Sequence, residues 1–320
     1  MIEKPYQGIR TFCKIGDRAI ASHKFAVVGA GADSSTGFRS GTRAAPAAIR
    51  DASMMLTAGV HNLYPVDIKL HANDLGDIDI TNSSITKMLE EIQSTIGNIL
   101  AWNKHPVVLG GEHTVTLGIL RAMYAKYGKV AVVHFDSHSD ANSTHYGEPI
   151  GSNTWLYNAV NEGLIDVTKV ITVGARAPMT DNSRSWLIRN GGTNISTSDA
   201  MYPISPSTAV SSRIQHTVGD TPCYLTCDIS CLDPSSAPGA SSLALGGLTT
   251  LWLLSCLEQM MSINWIGMDV VEVSPPYDHS DITALAAATL CWTYLSMNIH
   301  KSKLHSILPL TNEQASANLL

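Results

Sequence analysis

Apolar residues occur along the chain in short runs rich in valine and isoleucine, which alternate with longer stretches of helical spacing. Several runs are apolar at consecutive positions, as in strands that are buried on both faces of a sheet. They predict strands within six segments: residues 24–30, 105–111, 129–136, 169–175, 222–230 and 264–273. Helical spacing predicts helices between them, at residues 45–56, 84–102, 114–128 and 249–261.

This alternation of strands and helices predicts an α/β fold with a central, mostly parallel sheet covered by helices on both faces. No linker or internal repeat divides the chain, so residues 1–320 are predicted to form a single domain. Residues 303–320 have a weaker pattern, which predicts a loosely attached tail.

Charge and composition exclude several classes of function. With a net charge of -6 and 15% charged residues, the chain has no basic stripe for nucleic acid and no polybasic patch for a membrane surface. Its N-terminal segment lacks the apolar core of a signal peptide, and nowhere do about 18 apolar residues follow one another. We therefore expect a cytoplasmic protein that binds a small molecule, and neither nucleic acid nor membrane.

The six cysteines are spread over the chain, which predicts reduced, buried thiols rather than a disulfide framework. Cys223, Cys227 and Cys231 recur at every fourth position of a predicted strand. Neighbours so spaced on one face of a strand are too far apart to share a metal ion. Ordinary burial is therefore the favoured interpretation of these three thiols.

Acidic residues and histidines follow four of the predicted strands. Glu112 and His113 follow one strand, the segment "DSHSD" (136–140) follows another, and Asp228 and Glu272 lie near the ends of two more. Ligands of open α/β sheets bind at the carboxyl ends of the strands, where the loops converge. Mixed carboxylate and imidazole donors suit Mn, Ni, Zn or Fe, so the pattern predicts a metal site at this edge.

Four separated segments, in this order, resemble the ureohydrolase family of arginases and agmatinases. They are "GGEHTVTLG", "VVHFDSHSDAN", "TCDISCLDPSSAPG" and "GMDVVEVSPPYDHSDITALAAA". The resemblance spans roughly residues 6 to 298. Within the family, the chain is most similar to the agmatinase-like branch, which includes guanidinobutyrase and proclavaminate amidinohydrolase. It implies a three-layer α/β/α sandwich and an amidinohydrolase, which uses two Mn ions, or Ni in some members, to hydrolyse a guanidino compound to urea and an amine.

The resemblance also implies roles for individual residues. One ion would be held by four side chains: His113, Asp136, Asp140 and Asp228. The second would be held by His138 together with Asp136 and Asp228, which bridge both ions. Asp140 and Glu272 are the implied catalytic carboxylates. Glu272 would pair with the guanidinium group, because a carboxylate both orients a delocalised cation and offsets its desolvation.

The first departure from the family pattern is Ser230. The family motif after this strand is Asp-x-Asp, whereas this chain has Asp228-Ile229-Ser230. A serine hydroxyl is neutral and a poor ligand, so the second ion loses both a donor and a compensating charge. We expect weak or absent binding of that ion.

Two further departures lie in loops. Relatives carry a His-Gly pair, whose histidine is a proposed proton shuttle, and this chain has Ser152 and Asn153 at the matching place. His145 lies nearby in the sequence. It would replace that histidine only if the loop is rearranged, and is otherwise incidental. These three residues, with Glu272, are the candidate substrate-binding residues. The family sequence Gly-Thr-Gly-Thr-Pro is replaced within "GASSLALGG" (239–247), which predicts apolar surface in place of substrate hydrogen bonds.

Three hypotheses follow. The chain is an active amidinohydrolase with an impaired second metal site, or it is a non-catalytic subunit of a heteromeric ureohydrolase of the metformin hydrolase type. The resemblance implies a homo-oligomer, trimeric or hexameric, in the first case and a hetero-oligomer with a catalytic paralogue in the second. A nucleotide-binding protein is the third, but "VVGAGADSSTG" (27–37) lacks the third glycine of the dinucleotide motif.

Overall fold

A computed structural model describes residues 4–16, 21–57, 59–201 and 206–307. Its centre is one sheet of eight strands in the order β2-β1-β3-β8-β7-β4-β5-β6. Every neighbouring pair is parallel. The strands are β1 (Phe25–Ala30), β2 (Ala72–Asp77), β3 (His105–Gly110), β4 (Val130–Phe135), β5 (Ile165–Ala175), β6 (Thr193–Ser196), β7 (Cys223–Asp228) and β8 (Trp265–Val271).

Helices cover both faces of this sheet. They are α1 (Ala45–Ser53), α2 (Ile85–Ala101), α3 (Val115–Tyr127), α4 (Trp155–Asn161), α5 (Asp181–Arg189), α6 (Thr197–Met201), α7 (Ser207–Val218), α8 (Thr250–Glu258) and α9 (Ile282–Ile307). Local signals set several of the ends. The hydroxyls of Ser84 and Thr249 accept hydrogen bonds from backbone N–H groups in the first turns of α2 and α8, and Gly128 follows α3 with a φ of 73°.

Two apolar cores lie on opposite faces of the sheet, which explains the continuous apolar runs. In β1, Phe25 and Val27 belong to one core, and Ala26 and Val28 to the other. Successive side chains of a strand point to opposite faces, so a strand covered on both faces is apolar throughout. The three-layer α/β/α sandwich is therefore confirmed, with a sheet that is entirely parallel.

All six predicted strands are present, and the four predicted helices agree within a few residues. The remaining strands, β2 and β6, are the two edges of the sheet; their sequences, "ANDLGD" and "TNIS", are largely polar. The sequence did not predict α4, α5, α6, α7 or α9. Helix α9 extends to Ile307, past the predicted start of the tail at residue 303, and residues 308–320 of that tail lie outside the described residues.

Within the described part of the chain, residues 282–304 of α9 are long and apolar enough to cross a membrane. Of the apolar window in this helix, 78% is buried inside the fold, including Tyr294 and Leu295 at 0% exposure. This burial is what is expected of a central helix in an α/β domain.

The cysteines are buried as predicted, but the predicted strand position of one of them is wrong. All six thiols are free and buried. Cys231, however, lies in a 3-10 turn (Ile229–Cys231) after β7 rather than in the strand itself. Because this turn folds back, the sulfur atoms of Cys227 and Cys231 come within 4.0 Å of each other.

Candidate metal and substrate site

The predicted chemistry gathers at the carboxyl edge of the sheet. Strands β3, β8, β7 and β4 are consecutive in the sheet, and the acidic and histidine segments follow these four strands. Between them is a cleft of about 160 Å³. Its lining residues are Thr36, Gly37, Phe38, His113, His138, Asp140, His145, Tyr146, Ser152, Asn153, Asp228, Ser241, Ser242 and Glu272. It therefore contains every predicted substrate-binding residue, together with several of the predicted metal ligands.

His113 is positioned by a close approach of two backbone segments. A Cβ atom on Gly111 would lie 2.1 Å from the carbonyl oxygen of Ala32, so only glycine fits where the chain leaves β3. The Nε2 atom of His113 lies 2.9 Å from the hydroxyl oxygen of Thr226, which itself donates to Asp269. Since Thr226 donates its proton to that carboxylate, Nε2–H is the donor to Thr226, and Nδ1 keeps its lone pair.

Among the described residues, the Nδ1 atom of His113 is buried without a hydrogen-bond partner of suitable geometry, yet three carboxylates surround it. It lies 2.8 Å from Oδ2 of Asp140, 3.3 Å from Oδ2 of Asp136 and 3.7 Å from Oδ2 of Asp228. Acceptor atoms facing each other in the interior repel one another unless a proton or a metal cation lies between them. Burial opposes a charge on His113, but Asp136 and Asp140 raise the pKa of its imidazole, which shows how strongly they attract a cation. This set of donors therefore fits a divalent metal ion.

Asp136 lies between two groups of donors. Its Oδ2 atom faces His113 and His134, and its Oδ1 atom accepts hydrogen bonds from the backbone N–H of His138 at 2.8 Å and the hydroxyl of Ser230 at 3.2 Å. Donor atoms of His113, His134, Asp136 and Asp140 lie within 4.8 Å of one another, and so do those of Asp136, His138 and Asp228. The geometry thus offers two adjacent positions that share one carboxylate.

Ser230 lies beside the second group of donors, that of Asp136, His138 and Asp228. The Oγ atom of Ser230 lies 2.9 Å from Oγ of Ser137, and its backbone N–H donates to Oδ1 of Asp228. Oδ2 of Asp228 is 4.0 Å from Nδ1 of His138. Of the described residues, two carboxylates and one imidazole contribute strong donors at this position.

The electrostatics of the cluster favour positive charge. Burial opposes ionisation of His138, but the nearby Asp136 carboxylate raises the pKa of His138 to about 10. Burial together with the charge of Asp136 raises the pKa of Asp228. Such shifts arise where acidic groups are crowded with little counter-charge, an environment that suits a cation.

Glu272 extends from the end of β8 with a φ of 66°, a backbone conformation that is uncommon for residues other than glycine. Its Oε1 atom accepts a hydrogen bond from the backbone N–H of His113 at 2.6 Å, and its Oε2 atom accepts one from the hydroxyl of Ser241. Burial and the nearby Asp228 raise the pKa of Glu272 to about 8. Asp140 also has a positive φ, of 48°, and strained residues of this kind cluster at functional sites.

The loop at residues 145–153 carries the other predicted substrate-binding residues and is held by hydrogen bonds within the loop and to Ser35. His145 is buried, with Nδ1 2.8 Å from Oδ1 of Asn153 and Nε2 2.7 Å from the carbonyl oxygen of Ser35. The backbone N–H of Ser152 donates to the hydroxyl of Ser35. His145 thus lies beside the segment that replaces the His-Gly pair, with both ring nitrogens bonded to protein atoms.

The structure places three further residues here that are not among the predicted site residues. The Nε2 atom of His134 lies 2.8 Å from Oδ2 of Asp136, and its Nδ1 atom lies 3.1 Å from the hydroxyl oxygen of Thr172. Ser241 and Ser242 lie in the loop that was predicted to be apolar. That prediction is wrong at these two positions, because their hydroxyls bond to Glu272 and His138. The adjacent "APG" motif marks this loop as part of the site but does not indicate where its hydroxyls point.

Comparison with known proteins identifies the family to which this fold and site belong. The Arginase family model matches residues 23–296. An agmatinase of Photorhabdus laumondii subsp. laumondii is 38% identical over 284 residues, which cover 88% of this chain and 89% of the relative.

Two solved structures resemble the fold throughout. A hypothetical agmatinase from Burkholderia thailandensis has a TM-score of 0.86 at 32% identity, covering 94% of this chain and 93% of that one. Proclavaminate amidino hydrolase from Streptomyces clavuligerus has a TM-score of 0.87 at 30% identity, covering 93% and 99%. These matches confirm the predicted resemblance to ureohydrolases, enzymes that act on carbon–nitrogen bonds. The chain is a member of the arginase family.

Proposed function

We propose that this protein hydrolyses a small guanidino compound to urea and an amine, in the manner of an agmatinase. The proposal depends above all on the environment of His113. Its Nδ1 atom is buried among three carboxylates and has no hydrogen-bond partner in the part of the chain that the structure describes, beside a carboxylate suited to a guanidinium group. We expect the protein to act in the cytoplasm.

In this proposal His113, Asp136, Asp140 and Asp228 hold one divalent ion. His138 with Asp136 and Asp228 offers a second, weaker position, because Ser230 contributes only a neutral hydroxyl. Members of the family use a centre of two divalent ions, and Mn or Ni is the expected metal. Such ions lower the pKa of bound water and polarise the substrate.

The remaining residues bind and orient the substrate. The Glu272 carboxylate lies in the same cleft as the metal-ligand residues and would receive the guanidinium group there. Asp140 is held by Trp155, whose Nε1–H donates to Oδ2 at 2.7 Å, so this carboxylate is fixed beside the first position. His145, Ser152 and Asn153 line the cleft and would contact the rest of the substrate.

One observation favours a second candidate function, that of a non-catalytic subunit in a hetero-oligomer with an active paralogue. The Ser230 hydroxyl donates to Oδ1 of Asp136, the oxygen that faces the second position. This oxygen of Asp136 therefore already accepts a hydrogen bond from a neutral group at the second position. As an active hydrolase, the function proposed first, the chain forms a homo-oligomer, trimeric or hexameric, and keeps the first ion.

Urea release is the direct test. Purified protein would be incubated with Mn or Ni and with agmatine, guanidinobutyrate or arginine, and urea and amine would be quantified. We expect metal-dependent, equimolar products that are lost in Asp136→Asn and Glu272→Gln. Three results together would instead support the non-catalytic subunit. They are no urea from any substrate, about zero metal ions per chain, and co-purification of a relative that carries Asp-x-Asp.

A further inference from the structure

Ser241 is bonded to Glu272 at two points. The hydroxyl of Ser241 donates to Oε2 of the Glu272 carboxylate, and its backbone N–H donates to the carbonyl oxygen of Glu272 at 2.9 Å. Both residues are buried, at 6% and 5% exposure, and both line the cleft. The loop after Pro238 is therefore connected directly to the carboxylate that the proposed function assigns to the guanidinium group.

These contacts fix the direction of the carboxylate. Oε1 is held by the backbone N–H of His113, and Oε2 by Ser241. An ionised carboxylate has about four acceptor positions, so these two hydrogen bonds leave others available for a ligand. A hydroxyl has one donor and two acceptor positions, and Ser241 uses its donor on Glu272. Ser241 lines the cleft, and no hydrogen bond from the described residues occupies its acceptor positions.

A guanidinium group presents several N–H donors in a plane and has no acceptor. A carboxylate and a hydroxyl that are bonded to each other in one cleft offer it two adjacent acceptors. The hydroxyl of Ser242, the neighbour in sequence, is directed at Nε2 of His138 at 3.1 Å rather than at the Glu272 carboxylate.

We propose that Ser241 is a substrate-binding residue that accepts an N–H of the guanidinium group while it holds Glu272 in place. This inference rests on the proposed function and adds a second contact to its substrate site. Ser241 stands where the family sequence quoted above has the second glycine of Gly-Thr-Gly-Thr-Pro, so the contact belongs to this chain's own sequence.

The test is equilibrium binding of n-butylguanidine by isothermal titration calorimetry, combined with steady-state urea release. Ser241→Ala should weaken binding about tenfold, the lower limit for a hydrogen bond to a charged group. KM should rise by a similar factor while kcat changes less than about threefold, because the contact is present in both the ground state and the transition state. Ser241→Thr, which keeps the hydroxyl, should restore binding to within about threefold of the unsubstituted protein.

The matched control is Ser235→Ala, an exposed serine before Pro238 whose hydroxyl donates to Asp233, and neither residue lines the cleft. It should bind n-butylguanidine as the unsubstituted protein does. If Ser241→Ala does not fold, Ser241→Cys serves the same comparison, because a thiol has similar size and weak hydrogen bonding. Unchanged affinity in the folded alanine or cysteine variant, or a loss that Ser241→Thr does not restore, would overturn the role of Ser241.

The outcomes separate this inference from the proposed function. If the unsubstituted protein releases urea and the Ser241 variants bind normally, only the role of Ser241 is overturned. If it binds n-butylguanidine in a Ser241-dependent way but releases no urea from any substrate, hydrolysis is contradicted and the binding role stands. If it neither binds the probe nor releases urea, both are overturned.

Discussion

Nε2 of His113 lies 2.9 Å from the hydroxyl oxygen of Thr226. Thr226 in turn donates to Oδ1 of Asp269 at 2.6 Å, so the threonine has only its acceptor side free for the imidazole. This relationship selects the tautomer of His113 that directs a lone pair at the three surrounding carboxylates. A partner of this kind orients a metal ligand without contacting the ion.

Replacement of Thr226 by valine should therefore weaken metal binding. We expect a loss of about 10- to 100-fold in affinity for Mn or Ni, because the imidazole loses the acceptor that sets its tautomer. Competition with a chelating dye would measure this loss. Thr226→Ser, which keeps the hydroxyl, is the control, and equal affinity in the valine variant and the unsubstituted protein would contradict the role of Thr226.

Ser230→Asp should increase the number of ions bound per chain. The added carboxylate supplies both a donor and a negative charge at the position shared by Asp136, His138 and Asp228. We expect metal analysis after dialysis to change from about one ion per chain towards two, with faster urea release. Ser230→Asn, similar in size but neutral, should leave the metal content unchanged. No change in metal content for the aspartate variant would implicate the loop at residues 145–153 instead.

His105 should make stability depend on pH. Burial, with smaller contributions from Lys126 and Lys24, lowers the pKa of His105 to about 4, whereas an unfolded histidine titrates near 6.5. Between these values the unfolded chain binds more protons, so this contribution to stability is complete above about pH 6.5 and is lost as the pH falls towards 4. The loss is at most about 3 kcal/mol.

Urea unfolding of the protein and of His105→Gln at pH 7.5 and 4.5 would measure this effect. Glutamine does not titrate, so the unsubstituted protein should lose about 2 kcal/mol more than the variant over this range. His105 begins β3 at the end opposite the cleft, so its replacement leaves the site intact. Parallel pH dependence in the two proteins would contradict the assignment.

The buried ion pair between Arg50 and Asp74 should contribute more to stability than an exposed pair does. Two guanidinium nitrogens of Arg50 lie 2.8 and 2.9 Å from the two oxygens of Asp74, and these side chains are 9% and 1% exposed. Asp74→Asn would leave the arginine with less counter-charge and should cost about 3 kcal/mol in the free energy of unfolding.

The matched control for this prediction is Asp51→Asn. Asp51 pairs with Arg10 at 3.0 Å, but these side chains are 53% and 59% exposed, so the expected cost is below about 1 kcal/mol. Chemical denaturation of both variants would compare the two pairs. Equal costs would contradict the importance of burial for the Arg50 pair.

Most of the central sheet, and the segments whose side chains meet at its carboxyl edge, could be predicted from the sequence. Strands covered on both faces must be apolar throughout, so β1, β3, β4, β5, β7 and β8 are visible as continuous runs, whereas the polar edge strands β2 and β6 are not. Because the strands of a parallel sheet end at one edge, the positions of His113, Asp136, Asp228 and Glu272 after such runs were sufficient to predict that they meet.

The way these side chains are held can be seen only in the folded chain. The bonds from Thr226 to His113, from His134 to Asp136 and from Ser241 to Glu272 depend on side-chain directions and on loop paths. Ser241 and Glu272 are 31 residues apart, and no local pattern relates them. Apolar periodicity records which face of an element is buried, whereas the hydrogen bonds of a loop depend on the elements that pack around it.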